Sequence, residues 1–214
     1  VWITGVNPLS PGVTNQAETT PCSIRAALDL CKKLDKWSVQ SIDVIDNGRS
    51  IAAAIIRGSA RAVSDGSFKN AMGTSASILF HSKATDPNRL ISVNSVPGNR
   101  EEQNAYRSEL AGVSGSLSLI AAVCLVHDIH TGSITIGLDG EQAMIAASED
   151  WPLSPARPDY DLLTDTRAKV RGLPIKIHWK WIKGHQDDGP SHASLDEWAQ
   201  ANIYMDSMPK AYWT

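Results

Sequence analysis

The chain has 214 residues, 42% hydrophobic and 20% charged, an ordinary globular composition with length for one large domain or one domain plus an extension. Its formal net charge of −3 argues against non-specific nucleic-acid binding, and three isolated cysteines (Cys22, Cys31, Cys124) argue against a zinc ribbon or disulfide framework and fit a reducing compartment. No run of eighteen apolar residues occurs, and VWITGVNPLSPG at the N-terminus lacks the basic-then-apolar pattern of a secretory signal, so an intracellular setting is expected.

The chain opens without an initiator Met and is expected to be cut from something longer. Residues 1–20 read as loop, rich in Pro, Gly, Asn, Ser and Thr. Over 21–37, PCSIRAALDLCKKLDKW sets Ile24, Ala27, Leu28, Cys31 and Leu34 at helical spacing. A second helical piece over 49–57 stops at Gly58, a C-cap signal. No chemistry is visible in this part, and residues 1–58 read as an extension or linker of unknown role, ahead of a main domain over 59–214.

From Ala60 the pattern turns to strands. One spans 61–67, the turn KNAMG leads into a second over 74–80, and a β-branched third over 90–96 is closed by Pro97-Gly98. The three read as an antiparallel meander. Residues 105–129 are free of Pro and apolar at Leu110, Val113, Leu117, Ile120 and Cys124, which predicts a helix with one buried stripe. Gly112 and Gly115 would let it lie close on a sheet. A strand over 133–139 and a short helix over 141–148 follow. EDWPLSPARPDYD, with three prolines, is irregular. Residues 161–171 are helical, stopped by Gly172 and Pro174. Ile175, Ile177, Trp179 and Trp181 then alternate with Lys176, His178 and Lys180 in a half-exposed strand, with the tryptophans expected on the core side. The last helix is expected over 195–208. The class is α/β, a mixed sheet with helices.

Charge is segregated. Residues 166–186 carry Arg167, Lys169, Arg171, Lys176, Lys180 and Lys183 and no acid, whereas the preceding stretch is acidic. A solvated face and a surface for a phosphate backbone both fit the basic run.

Two strands are expected to end in Asp-Gly, at Asp65-Gly66 and Asp139-Gly140, and Glu109 stands in the first turns of the long helix. Carboxylates are hard ligands suited to Mg²⁺ or Mn²⁺. Several acids brought together repel at neutral pH, and divalent cations relieve that repulsion. Two such ions about 3.5–4 Å apart can clamp the attacking water and the leaving oxygen of a phosphodiester. Each acid taken singly reads first as a surface residue or a cap. The strand–helix–strand order of the set is what points to chemistry.

The ordered set VSDGS at 63–67, YRSEL at 106–110, IGLDG at 136–140, WIKGHQDD at 181–188 and LDEWAQANIYMDSM at 195–208 resembles a ribonuclease H domain. The likeness is to the type 1 kind found at the end of retroelement reverse-transcriptase polyproteins, and it runs from Ala60 to Tyr212. It implies a ribonuclease H-like fold, with a five-stranded mixed sheet and helices on both faces. It further implies endonucleolytic hydrolysis of the RNA strand of RNA/DNA hybrids. Asp65, Glu109 and Asp139 would hold two Mg²⁺ ions, with Mn²⁺ able to substitute and Asp65 bridging both. The implied partners are the hybrid and the remainder of a polyprotein, with no membrane.

For the fourth acid the resemblance offers two positions. Asp206 lies four residues after Asn202, on one helical face. Asp196, in LDEWA, fits the shorter interval of bacterial relatives. Asp206 is preferred because GHQDD and AQAN resemble the retroelement branch. Pro209 stands where the family usually has alanine, so the helix is expected to kink or end there. His185, in KGHQ, resembles the family's loop histidine, a proton shuttle or aid to product release. Gly66, Ser67, Asn104 and Gln142 neighbour the acids and are candidate substrate contacts, as are Lys180 and Lys183. Recognition is expected by shape and 2′-OH contacts across the minor groove. Two rival readings are a catalytically silent, connection-type scaffold that binds nucleic acid, and a nuclease of the same fold such as an integrase or resolvase.

Overall fold

The structure is a computed structural model, and it describes residues 20–30, 41–184, 186 and 191–211. Alternating apolar and β-branched residues build strands β1 (Ser41–Val44), β2 (Ala60–Lys69), β3 (Met72–Phe80), β4 (Leu90–Ser95), β5 (Ser133–Leu138) and β6 (Lys176–Trp181). The helices are α1 (Ile24–Asp29), α2 (Arg49–Arg57), α3 (Ala105–Val126), α4 (Glu141–Ser148), α5 (Tyr160–Gly172) and α6 (Glu197–Ala211). The sheet runs β1-β4-β3-β2-β5-β6. β2, β3 and β4 form the antiparallel meander, while β5 lies parallel to β2 and β6 parallel to β5.

Among the described residues the sheet therefore has six strands where five were expected. The added strand, β1, pairs antiparallel with the outer edge of β4, Ser41 opposite Val93 and Val44 opposite Leu90. Four residues of alternating exposure are too short a run for periodicity to announce. On either side of β1 the described N-terminal residues pack into the main core. Ser23 caps α1 by accepting from the Ala26 N–H, and α2 ends on Gly58 in the left-handed region at φ 71°. Ile24, Ile51 and Ile55 are fully buried in the same cluster as Leu117 and Ile120 of α3. Position 58 thus falls in a tight turn across which core packing continues.

That packing also changes α3. One buried stripe was expected, but the helix is buried on all sides from Leu110 to Ile120. The sheet covers one side, and α1, α2, α4 and α5 pack on the others. By length and composition α3 could cross a bilayer, but it is the central core helix of this fold. Small residues make the burial possible: Gly112 meets Ser64 of β2, and the Ser118 hydroxyl donates to the Ser114 carbonyl within the helix. On the opposite face of the sheet α6 is the helix that packs among the described residues, with Ala201 and Met205 against Val63, Ala76, Ile78 and Phe80.

The basic run is not one surface. Arg167 is buried and donates to the Ala146 and Trp151 carbonyls, Lys169 pairs with Asp165, and Arg171 with Asp150. Arg171, the lysines of β6 and Lys183 in the turn after it stay exposed. Trp179 packs on the core as expected, but Trp181 is 51% exposed.

Candidate active site

Strand alternation puts Val63 and Asp65 on the face of β2 that α6 covers. Asp65 is not at a strand end, as the Asp-Gly dipeptide suggested. It sits mid-strand opposite Ala76, and β2 runs on to Lys69. Asp139 directly follows Leu138, the last residue of β5, whose neighbour in the sheet is β2. Glu109 is in the second turn of α3, and α3 reaches β2 because Gly66 has no side chain. A Cβ there would come within 2.3 Å of the Ser108 carbonyl carbon and 2.4 Å of the Glu109 nitrogen.

The result is convergence. Asp65, Glu109 and Asp139 each offer a carboxylate oxygen, and these atoms all lie within 4.8 Å of one another. With Gly66, Asn202, Ile203 and Asp206 they line a cleft of about 150 Å³. The Asn202 side-chain N–H donates to Asp139 Oδ2 at 3.2 Å, and the Gly66 N–H donates to Asp65 Oδ1 at 2.8 Å. Gly184 lies against the same acid: a Cβ on it would sit 2.7 Å from Asp139 Oδ2.

Electrostatically the cluster is short of positive charge. Burial, with Asp139 and Asp206 adding repulsion, pushes the Asp65 carboxyl up to about 7. Glu109 is pushed well above the carboxylate range, first by burial and then by Asp65 and Asp139. Among the described residues, Glu109 Oε2 and Asn202 Oδ1 are buried with no hydrogen-bond partner. An all-oxygen donor set with an orphaned buried carboxylate oxygen fits a hard divalent cation. Asp65, Glu109 and Asp139 are the residues able to hold it, with Asp206 beside them.

The two candidate fourth acids part company. Asp206 lines the cleft, whereas Asp196 is exposed and caps α6, accepting from the Ala199 N–H at 2.8 Å. α6 does not end at Pro209 but continues to Ala211, and the Pro209 carbonyl accepts from the Thr74 hydroxyl of β3. Asn104 caps α3, accepting from the Arg107 N–H, so its side chain serves the helix that carries Glu109. Ser67 is half-buried on β2, Gln142 is exposed in the first turn of α4, and Lys180 and Lys183 are exposed. The Lys180 ammonium sits 5.6 Å from the centre of the Trp198 ring. His185 lies outside the described residues.

Sequence reasoning placed Trp181 in the core, yet its indole N–H donates to the Asp139 carbonyl while the ring stays exposed. Its position at the last residue of an edge strand was the available signal. Asn202, used only as a spacing marker for Asp206, is itself in the cleft.

No protein-family model and no curated protein matches the chain. Among solved structures it is similar to the N-terminal RNase H domain of a Mycobacterium tuberculosis protein, solved as a fusion with maltose-binding protein. That likeness is at 15% identity, 72% of this chain, 99% of that chain and TM-score 0.39. It is also similar to RNase H1 of Halobacterium salinarum NRC-1, at 12% identity, 60% of this chain, 89% of that chain and TM-score 0.38. A third is LC9-RNase H1, described as a type 1 RNase H with the type 2 active-site motif, at 16% identity, 71% of this chain, 70% of that chain and TM-score 0.43. The arrangement itself is set by the antiparallel β2–β4 meander, the α3 crossover and the parallel β5 and β6. It is the strand and helix order that the resemblance read from the sequence implied, with β1 added at the edge of the sheet. In this arrangement Asp65 stands on β2, Asp139 just beyond the end of the neighbouring β5, and Glu109 on the crossover helix α3.

Proposed function

We propose that the chain is a metal-dependent endonuclease that hydrolyses the RNA strand of RNA/DNA hybrids, leaving 5′-phosphate and 3′-hydroxyl ends. The observation that carries this reading is the convergence of Asp65, Glu109 and Asp139 within 4.8 Å, beside Asp206, in a cleft open to solvent. A structural domain gains nothing from burying carboxylates that repel one another, so the cluster argues against the silent scaffold. Asp65, Glu109, Asp139 and Asp206 hold divalent ions in this proposal, and those ions supply water activation and charge stabilisation for phosphodiester hydrolysis.

The chain's own residues do the arranging. Gly66 lets α3 bring Glu109 to the strand, and Asn202 orients Asp139 through its amide. Lys180, Lys183, Ser67 and Gln142 are proposed to meet the sugar–phosphate backbone, and His185 to shuttle a proton or assist product release. The placement in a retroelement polyprotein rests on the WIKGHQDD and LDEWAQANIYMDSM resemblance.

The test is cleavage of a labelled hybrid in Mg²⁺ and in Mn²⁺, with duplex RNA and duplex DNA alongside. Asp65→Asn is expected to abolish hybrid cleavage with an unchanged circular dichroism spectrum. Full cleavage by that variant in excess EDTA overturns the proposal, and equal cleavage of duplex DNA transfers it to the integrase or resolvase class.

A further inference from the structure

Trp181 is out of keeping with the rest of its strand. Ile177 and Trp179, on the same face of β6, pack on the main core, but Trp181 belongs to neither apolar cluster and is 51% exposed. A tryptophan that buries so little is not held by packing. It has instead one directed contact, from the indole N–H to the Asp139 carbonyl at 3.1 Å.

The contact falls where β5 stops. Leu138 is the last residue of that strand, and its carbonyl accepts from the Ile182 N–H of the neighbouring chain segment at 3.0 Å. One residue on, at the junction with α4, the Asp139 carbonyl is met by a side chain. α4 has no side-chain cap at Gly140 to steady that junction. With β5 holding the nitrogen side of Asp139 and the indole its carbonyl side, the Cα–Cβ bond is given one direction. Asn202, from α6, then sets the rotation of the carboxylate through its bond to Oδ2. We propose that Trp181 is a positioning residue: its indole N–H pins the main chain of Asp139 and so aims that carboxylate at the divalent ion. It acts through the peptide, without itself meeting the ion. This inference rests on the metal-dependent reading above and adds to it a residue, outside the acids, that sets metal affinity.

The experiment counts free Mn²⁺ by electron paramagnetic resonance as the full chain is titrated, with kcat and KM for hybrid cleavage taken on the same preparations. Trp181→Phe keeps an aromatic ring and loses the N–H, and Trp181→Leu loses both. Trp179→Phe makes the same exchange in the core and serves as the control. Both Trp181 variants are expected to weaken Mn²⁺ binding roughly three- to tenfold, the effect of one lost hydrogen bond. Both should lower kcat at an unchanged KM for the hybrid, with the melting temperature in EDTA close to wild type. Trp179→Phe should lower the melting temperature and bind Mn²⁺ as the wild type does. Wild-type Mn²⁺ affinity in Trp181→Phe, weakening by Trp181→Leu alone, or equal weakening by Trp179→Phe overturns the inference. Absence of any Mn²⁺ binding in the wild type instead overturns the metal-dependent reading itself, so the two failures are distinguishable.

Discussion

Gly66 of β2 lies directly against the peptide of Ser108, with 2.3 Å between a would-be Cβ and the Ser108 carbonyl carbon. The neighbour is backbone, so it cannot rotate away. Gly66→Ala must push α3 off the strand and carry Glu109 with it. The expected cost is about 1–3 kcal/mol, the range for forcing an extra carbon into a packed interior. Urea unfolding measures that loss, and Mn²⁺ titration should show a weakened site. Wild-type stability in this variant would mean that α3 does not rest on Gly66.

The buried acids make a pH prediction with a definite sign. Asp65 titrates at about 7 in the fold, raised mainly by burial and then by Asp139 and Asp206. In the unfolded chain it titrates at about 3.9. Between those values the folded state holds more protons than the unfolded state, so stability is lost as pH rises through the window. In EDTA the melting temperature is expected to fall from about pH 5 to about pH 8, and Mg²⁺ should raise it more at the higher value. Asp65→Asn should flatten the profile. Equal Mg²⁺ stabilisation at both pH values counts against the cluster.

Asp196 and Asp206 are expected to separate stability from activity. Asp196→Ala removes an N-cap and should cost about 1 kcal/mol, with cleavage by the folded protein unchanged. Asp206→Asn should leave the melting temperature close to wild type and sharply lower hybrid cleavage. Thermal melts and initial rates on the same preparations decide it. A dead but stable Asp196→Asn would reverse the assignment.

Arg107 is the buried tie behind the helix that bears Glu109. It is 1% exposed and donates to the Pro97 carbonyl, to Asp159 and, with both terminal nitrogens, to Asp161. Arg107→Ala strands the nearly buried Asp159 carboxylate and should cost about 3–5 kcal/mol. Lysine lacks the planar fork, so Arg107→Lys should recover only part. The hydrogen bond from Arg107 holds Asp161 below the usual carboxylate range. That contribution is complete above the unfolded pKa and disappears as pH falls through the lower folded value, so the wild type should lose more than Arg107→Ala on acidification. Unfolding curves across the acid range test both statements.

What the residues disclosed beforehand follows from physical scale. The nine-residue α2 with its glycine stop and the eight-residue α4 carry a period long enough to read, and both appear over the spans expected. The three acids were legible because carboxylates at recurring junctions are chemically conspicuous. β1 was not, because four residues cannot establish alternation. Nor was the full burial of α3, since which elements cover a helix depends on contacts distant in sequence. Arg167 and Lys169 read as exposed charge but turn inward to carbonyls and to Asp165. Asp65 looked terminal because Asp-Gly is a turn dipeptide, yet here the glycine serves as a seat for another helix.

β1 has a practical bearing on where a recombinant fragment should begin. It occupies the hydrogen-bonding rim of β4, and Ile24, Ile51 and Ile55 roof the central helix from the same stretch of chain. A fragment starting at Ala60 would retain every acid of the cleft yet leave that rim bare, free to zip onto a second copy. Such material should form sticky oligomers, whereas one retaining Thr20 onward should stay dispersed.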